Sequence, residues 1–153
     1  YRQATGLWLD LGNHKYAALA LCNHGTSYMQ RGQLVDARAT LERAVDLYSS
    51  GDEPSGRAFA IGELAELDRR EGLFRRSRRR FAEAEAQLRT IGFVFPLAQL
   101  LCRRGLLDVA VGEAENARSA LAEARSIADE AGIEKTAELG AQLRALEEAV
   151  ATL

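Results

Sequence analysis

Three stretches of this chain align with one another at a fixed interval, and that recurrence restricts the fold more than any other feature. They are YMQRGQLVDARATLERAV from Tyr28, DRREGLFRRSRRRFAEAE from Asp68 and DVAVGEAENARSALAEAR from Asp108. Their glycines are Gly32, Gly72 and Gly112, so the period is 72 − 32 = 112 − 72 = 40 residues. Five positions after each glycine stands a small residue (Ala37, Ser77, Ala117). Four further stands a large apolar one (Leu41, Phe81, Leu121), and three further an alanine (Ala44, Ala84, Ala124). Steps of four and three keep all of these on one stripe of an α-helix. One period before Ala44 lies Ala4, so the chain opens inside a fourth copy. A period of this size marks stacked supersecondary units, none of which buries its apolar face alone.

The same periodicity continues upstream of each glycine, through Leu21, Gly25 and Tyr28, then Ile61, Leu64 and Ala65, then Leu101, Gly105 and Asp108. Each unit is therefore expected to be a helical hairpin, with a tight turn where glycine takes positive φ without penalty. Breakers predict helices near 1–11, 14–30, 34–49, 55–70, 73–90, 95–110, 113–131 and 134–151. SSGDEPSG from Ser49 is a loop, with Pro54 suited to the first turn of the next helix, and Pro96 plays a similar part after IGFVF. Only two prolines occur in the chain, and alanine, leucine, glutamate and arginine dominate, which favours helix. GFVF is too short to compete as a strand. In the second helix of the middle copy, Phe74, Ser77, Phe81 and Ala84 are expected to form the buried stripe.

Several function classes drop out. The 153 residues, 47% apolar and 27% charged, suit one globular domain spanning 1–153. No apolar run approaches the roughly 18 to 20 residues of a membrane span, so no membrane contact is expected. No signal peptide opens the chain. It starts with Tyr1 in helix-like sequence, as expected of a piece of a longer protein. Cys22 and Cys102 are too far apart in sequence for a disulfide framework, and small apolar filler is their expected role. His14 and His24 have no carboxylate or cysteine at ligand spacing, so neither a metal nor a cofactor is expected. There is no nucleophile elbow, phosphate loop or HExxH, so no enzyme is expected. Trp8 lies one period before Tyr48, which suggests packing between copies.

The pattern resembles the tetratricopeptide repeat family. Gly25, Tyr28, Gly32, Ala37, Leu41 and Ala44 carry the resemblance in one copy. Leu64, Ala65, Gly72, Phe74, Ser77, Phe81 and Ala84 carry it in the next, and Gly105, Gly112, Ala117, Leu121 and Ala124 in the third. The chain departs from the family in its period of 40 rather than about 34, in having Leu21, Ile61 and Leu101 at the tryptophan-like position, and in lacking the closing proline. HEAT repeats have a similar period but lack the Gly…Ala…Ala spacing. The long variety is similar to repeats in bacterial LuxR-type and maltose-activator-type regulators. The resemblance implies an all-α, right-handed superhelical solenoid of antiparallel hairpins, about 3.5 repeats at 14–50, 54–91 and 94–131, with a capping helix at 134–151.

It also implies a site. First helices line the concave face of such a solenoid, and the family's contact positions fall on Leu19, Cys22, Asn23, Thr26 and Met29 in the first copy. They fall on Phe59, Gly62, Glu66, Arg69 and Arg70 in the second, and on Gln99, Cys102, Arg103, Leu106 and Val109 in the third. Asn23 either grips the backbone of an extended peptide or bridges neighbouring helices. The family's lysine–asparagine clamp for a C-terminal carboxylate is absent, with Cys22 and Thr26 in its places. The expected function is a protein- or peptide-binding scaffold or sensor in a larger bacterial, cytoplasmic signalling or transcription regulator. Self-association through uncapped repeat ends, near Trp8 and Leu11, is the further expectation.

REGLFRRSRRRF, from Arg70 to Phe81, gives the alternative reading, because Arg75, Arg76, Arg78, Arg79 and Arg80 crowd into six positions. They fall beside the apolar stripe, on the convex side, where Arg79 and Glu83 have i, i+4 spacing. A solvated helix face is the plain expectation, and a dock for nucleic acid or an acidic protein the sharper one. A net charge of −2 and a lack of exposed interleaved aromatics weigh against nucleic acid.

Overall fold

The computed structural model describes residues 2–132 and 137–153. Among the described residues there are eight α-helices and no strand: α1 (Arg2–Asp10), α2 (His14–Gln30), α3 (Leu34–Ser50), α4 (Pro54–Arg70), α5 (Phe74–Ile91), α6 (Val94–Ala110), α7 (Ala114–Glu130) and α8 (Ala137–Ala151). The expected all-α class holds, and the expected helix boundaries hold to within a residue or two from α2 through α7. Residues 134–136 of the expected capping helix lie outside the described residues.

One turn geometry explains the regularity. Positive φ recurs at every twentieth residue, at Gly12, Gly32, Asp52, Gly72, Gly92, Gly112 and Gly132. The residue after each of the first six donates its N–H back to a carbonyl five positions earlier. Gln33 donates to Tyr28 (3.0 Å), Leu73 to Asp68 (2.8 Å) and Glu113 to Asp108 (2.8 Å) within the copies. Asn13 donates to Trp8 (2.8 Å), Glu53 to Tyr48 (3.0 Å) and Phe93 to Leu88 (3.1 Å) between them. This is the Schellman closure, in which a left-handed residue satisfies the helix's last carbonyls. The sequence pattern exposed the turns within copies. The turns between copies obey the same rule, but after α3 the left-handed residue is Asp52, with φ 51°, while Gly51 beside it has φ −90°.

Gly72 isolates the cost of that geometry. A Cβ there meets nothing within 4 Å, so substitution is purely a backbone matter at φ 74°. Gly72→Ala is expected to destabilise by about 1 kcal/mol, the left-handed penalty of about 1–2 kcal/mol outweighing the entropy lost from the unfolded chain. Urea unfolding measures it, and an unchanged midpoint would contradict the assignment.

The chain divides into two compact units, Tyr1–Gln87 and Leu88–Leu153. In the first, α2 packs on α1, α3 and α4, and α3 packs on α4. Its core has two clusters. One gathers Ala18, Leu21, Cys22, Ala44, Tyr48 and Ala60. The other gathers Met29, Ala37, Leu41, Leu64 and Leu67. Phe81, Ser77 and Ala84 of α5 are fully buried, as their stripe requires, and the Ser77 hydroxyl donates to the Ala65 carbonyl at 2.8 Å. Phe74 departs from expectation and is 37% exposed. It is the first residue of α5, and the packed stripe starts one turn later at Ser77. In the second unit α6, α7 and α8 pack on one another, with Leu101, Leu107, Leu139 and Leu146 fully buried.

Candidate functional site

The expected contact positions of the first unit sit on α2 and α4, which touch each other. The structure sorts them into three groups. Leu19, Asn23 and Phe59 are exposed, and Leu19 and Phe59 stand one period apart. Asn23 is one helical turn beyond Leu19, so the two share a face.

The second group is a correction. Cys22, Met29 and Gly62 are buried and line no open surface. Cys22 packs in the cluster with Tyr48, and Met29 in the cluster with Leu41. Their helices are covered on more than one side, so positions that face a groove in a simpler hairpin face neighbouring helices here. Thr26 is half-buried, and its hydroxyl donates to the Cys22 carbonyl at 3.0 Å and to Glu63 Oε2 at 3.4 Å.

The third group is charged and already paired. Glu66 is only 6% exposed. Arg69 donates to it through Nε and Nη2, both at 2.8 Å, and Arg70 through Nε at 2.8 Å. Burial opposes ionisation of Glu66, but the hydrogen bonds and charge of Arg69 and Arg70 prevail and hold its carboxyl below the usual value. The hydrogen bond to Glu66 likewise raises Arg69. These three side chains neutralise one another in part and leave a single net positive charge.

In the second unit Gln99, Arg103, Leu106 and Val109 are half-buried on α6, and Cys102 is buried. Burial, aided by the Glu63 charge, pushes the Cys22 thiol up to about 12. Burial, partly offset by Arg103, pushes Cys102 up to about 11. Both cysteines are free. Neither is expected to react with a thiol-exchange reagent at about pH 8 until the chain is unfolded, because the thiolate is the reactive form. Rapid modification of the native chain would contradict that placement.

The arginine run is also not what spacing alone suggests. Asp68, fully buried at the end of α4, draws three guanidiniums onto one carboxylate. Arg76 Nε donates to Oδ1 at 2.9 Å, Arg38 Nη2 to Oδ1 at 2.8 Å and Arg80 Nη1 to Oδ2 at 2.6 Å. Arg38 also pairs with Glu71. Arg76 and Arg80 are therefore not a freely solvated face; they fold back across the hairpin turn. Arg75, Arg78 and Arg79 remain exposed. Glu83 pairs with Arg57 of α4 at 2.7 Å rather than following the expected i, i+4 partnership with Arg79.

Two residues with large roles were not singled out from the sequence, Asp68 and Glu63. Glu63 stands one period after Asn23, yet it is only 3% exposed where Asn23 is exposed. Asp68 carried a signal, an acid at a helix end followed eight and twelve positions later by Arg76 and Arg80, across a turn that brings them back.

Elsewhere the Trp8 ring lies 4.9 Å from that of Tyr16, linking α1 to α2, and the His24 ring stacks on Tyr28 at 4.2 Å. Leu7 and Leu11 of the opening helix and its turn are exposed. Among the described residues no three His, Cys, Asp or Glu side chains are placed to hold a metal ion, and no helix is long and apolar enough to cross a membrane. No known family, curated protein or solved structure matches the chain.

Proposed function

We infer that the chain is a non-enzymatic binding module, a right-handed solenoid of tetratricopeptide-like hairpins that takes a protein or peptide on the face of its first helices. The observation that supports this reading is the pairing of exposed Leu19 and Phe59, one period apart on touching helices, with the exposed amide of Asn23 beside Leu19. An amide can donate to and accept from an extended backbone, while the two apolar side chains contact alternate residues of the same strand. The charged neighbours Glu66, Arg69 and Arg70 already satisfy one another, so the face favours a partner with few charges. On this reading the module serves as scaffold or sensor within a larger bacterial cytoplasmic regulator of signalling or transcription.

The test is capture of partner from lysate by the chain and by a Leu19→Ala/Asn23→Ala/Phe59→Ala variant. All three positions are exposed, so the variant is expected to fold. One protein retained by the parent chain, insensitive to nuclease and moderate salt, and lost about tenfold or more in the variant, is the expected result. Equal retention by both would overturn the reading. Retention abolished by nuclease and by modest salt would instead favour the exposed Arg75, Arg78 and Arg79 as a nucleic-acid contact.

A further inference from the structure

A cleft of about 270 Å³ lies among α3, α4 and α5, on residues that the peptide-binding face does not use. Its apolar lining is Val45, Ile61 and Leu64, the latter two nearly fully buried. Its charged lining is balanced, with Glu42, Asp46 and Glu83 against Arg57, Arg79 and Arg80. Most of those charges are already engaged. Arg57 Nη2 holds Glu83 Oε1 at 2.7 Å. Arg80 holds Asp68 at 2.6 Å and lies 3.9 Å from Glu42. What remains is one carboxylate, Asp46 on α3, and one guanidinium, Arg79 on α5, both exposed and lining the same cleft.

We propose that this cleft binds a free α-amino acid with an aliphatic side chain. Arg79 takes the carboxylate as a paired hydrogen-bond donor, Asp46 takes the ammonium, and the side chain rests on Val45, Ile61 and Leu64. The chemistry selects this class over others. A ligand of one net charge leaves either Asp46 or Arg79 desolvated without a partner, and an uncharged apolar ligand leaves both so. Only a zwitterion with an apolar tail matches every part of the lining. The volume lies below the roughly 300–1,000 Å³ of sites for drug-sized ligands, which sets the ligand at amino-acid size. The proposal does not depend on the peptide-binding face of α2 and α4.

The experiment is a titration of the intact chain with L-leucine, L-isoleucine and L-valine, followed by calorimetry and by amide chemical shifts. N-acetyl-leucine amide, which keeps the side chain and lacks both charges, is the control. Saturable binding of at least one amino acid, with a dissociation constant at or below about 1 mM, is expected, with shifts centred on α3, α4 and α5. Arg79→Gln and Asp46→Asn are each expected to weaken it by tenfold or more, while the blocked analogue gives no saturation. Both positions are exposed, and circular dichroism verifies that the variants keep their helices. Absence of saturation with all three amino acids at about 10 mM overturns the proposal. So does binding that both variants retain undiminished, since the ligand then sits elsewhere.

Discussion

Asp68→Ala is expected to lower the free energy of unfolding by about 3–5 kcal/mol, measured by urea denaturation. The side chain is fully buried, and its two oxygens accept from Arg38, Arg76 and Arg80. Removing it deletes the common acceptor and leaves three guanidiniums crowded about an empty place. Arg80 and Arg38 are each only about a fifth exposed, so water cannot fully replace the lost partner. A loss below about 1 kcal/mol would show that the cluster is an ordinary surface ion pair.

The same carboxylate fixes a pH dependence. Burial works to raise the Asp68 pKa, but the hydrogen bonds of Arg76 and Arg38 and the charge of Arg80 prevail, and it falls below its ordinary 3.8. A group with a depressed folded pKa is protonated more readily in the unfolded chain, so its contribution is complete above the unfolded value and is lost as pH falls through the folded one. The stability difference between the parent chain and Asp68→Asn should therefore be constant from neutral pH down to about 5 and shrink below about 4. Glu66, depressed by Arg69 and Arg70, contributes in the same direction. A difference that grows on acidification would contradict the assignment.

The helices were legible because each boundary is written in a local signal. A left-handed glycine, the small–large–alanine stripe after it and Pro54 at a first turn need no knowledge of the rest of the chain. Asp52 hid one turn, since the conformation that glycine usually marks is held there by an aspartate with Gly51 as a decoy. Burial of Cys22 and Met29 was illegible for a different reason. An amphipathic stripe reports one buried side, while α2 packs on α1, α3 and α4 and has little face left to advertise. The fate of the arginines depended on pairing across turns, Arg38 with Asp68 over 30 positions and Arg57 with Glu83 over 26, which helical spacing does not encode. Spacing assigned Arg79 to Glu83, and the tertiary partner took the acid instead.

Gly25 and Leu41 should behave as one unit, with coupling readable in a double-mutant cycle. A Cβ on Gly25 would lie 2.6 Å from Leu41 Cγ and 2.8 Å from its Cδ2. Leu41 is fully buried between α2 and the helices beside it, so its branch point has nowhere to move. Gly25→Ala gains about 1 kcal/mol in helix propensity. Overpacking costs about 1–3 kcal/mol, so the substitution is expected to be net destabilising by about 1 kcal/mol. Leu41→Ala alone is expected to cost about 2–5 kcal/mol through lost burial and the cavity it opens. In the double variant the new methyl enters that cavity, so the clash disappears and the propensity gain is restored. The double variant should therefore be more stable than Leu41→Ala by about 1 kcal/mol, although Gly25→Ala destabilises the parent chain. That reversal of sign is the signature of direct contact. Strict additivity of the two substitutions would mean that the α2–α3 crossing does not close on this glycine, and with it would fall the reason the repeat keeps a small residue at Gly25, Ala65 and Gly105.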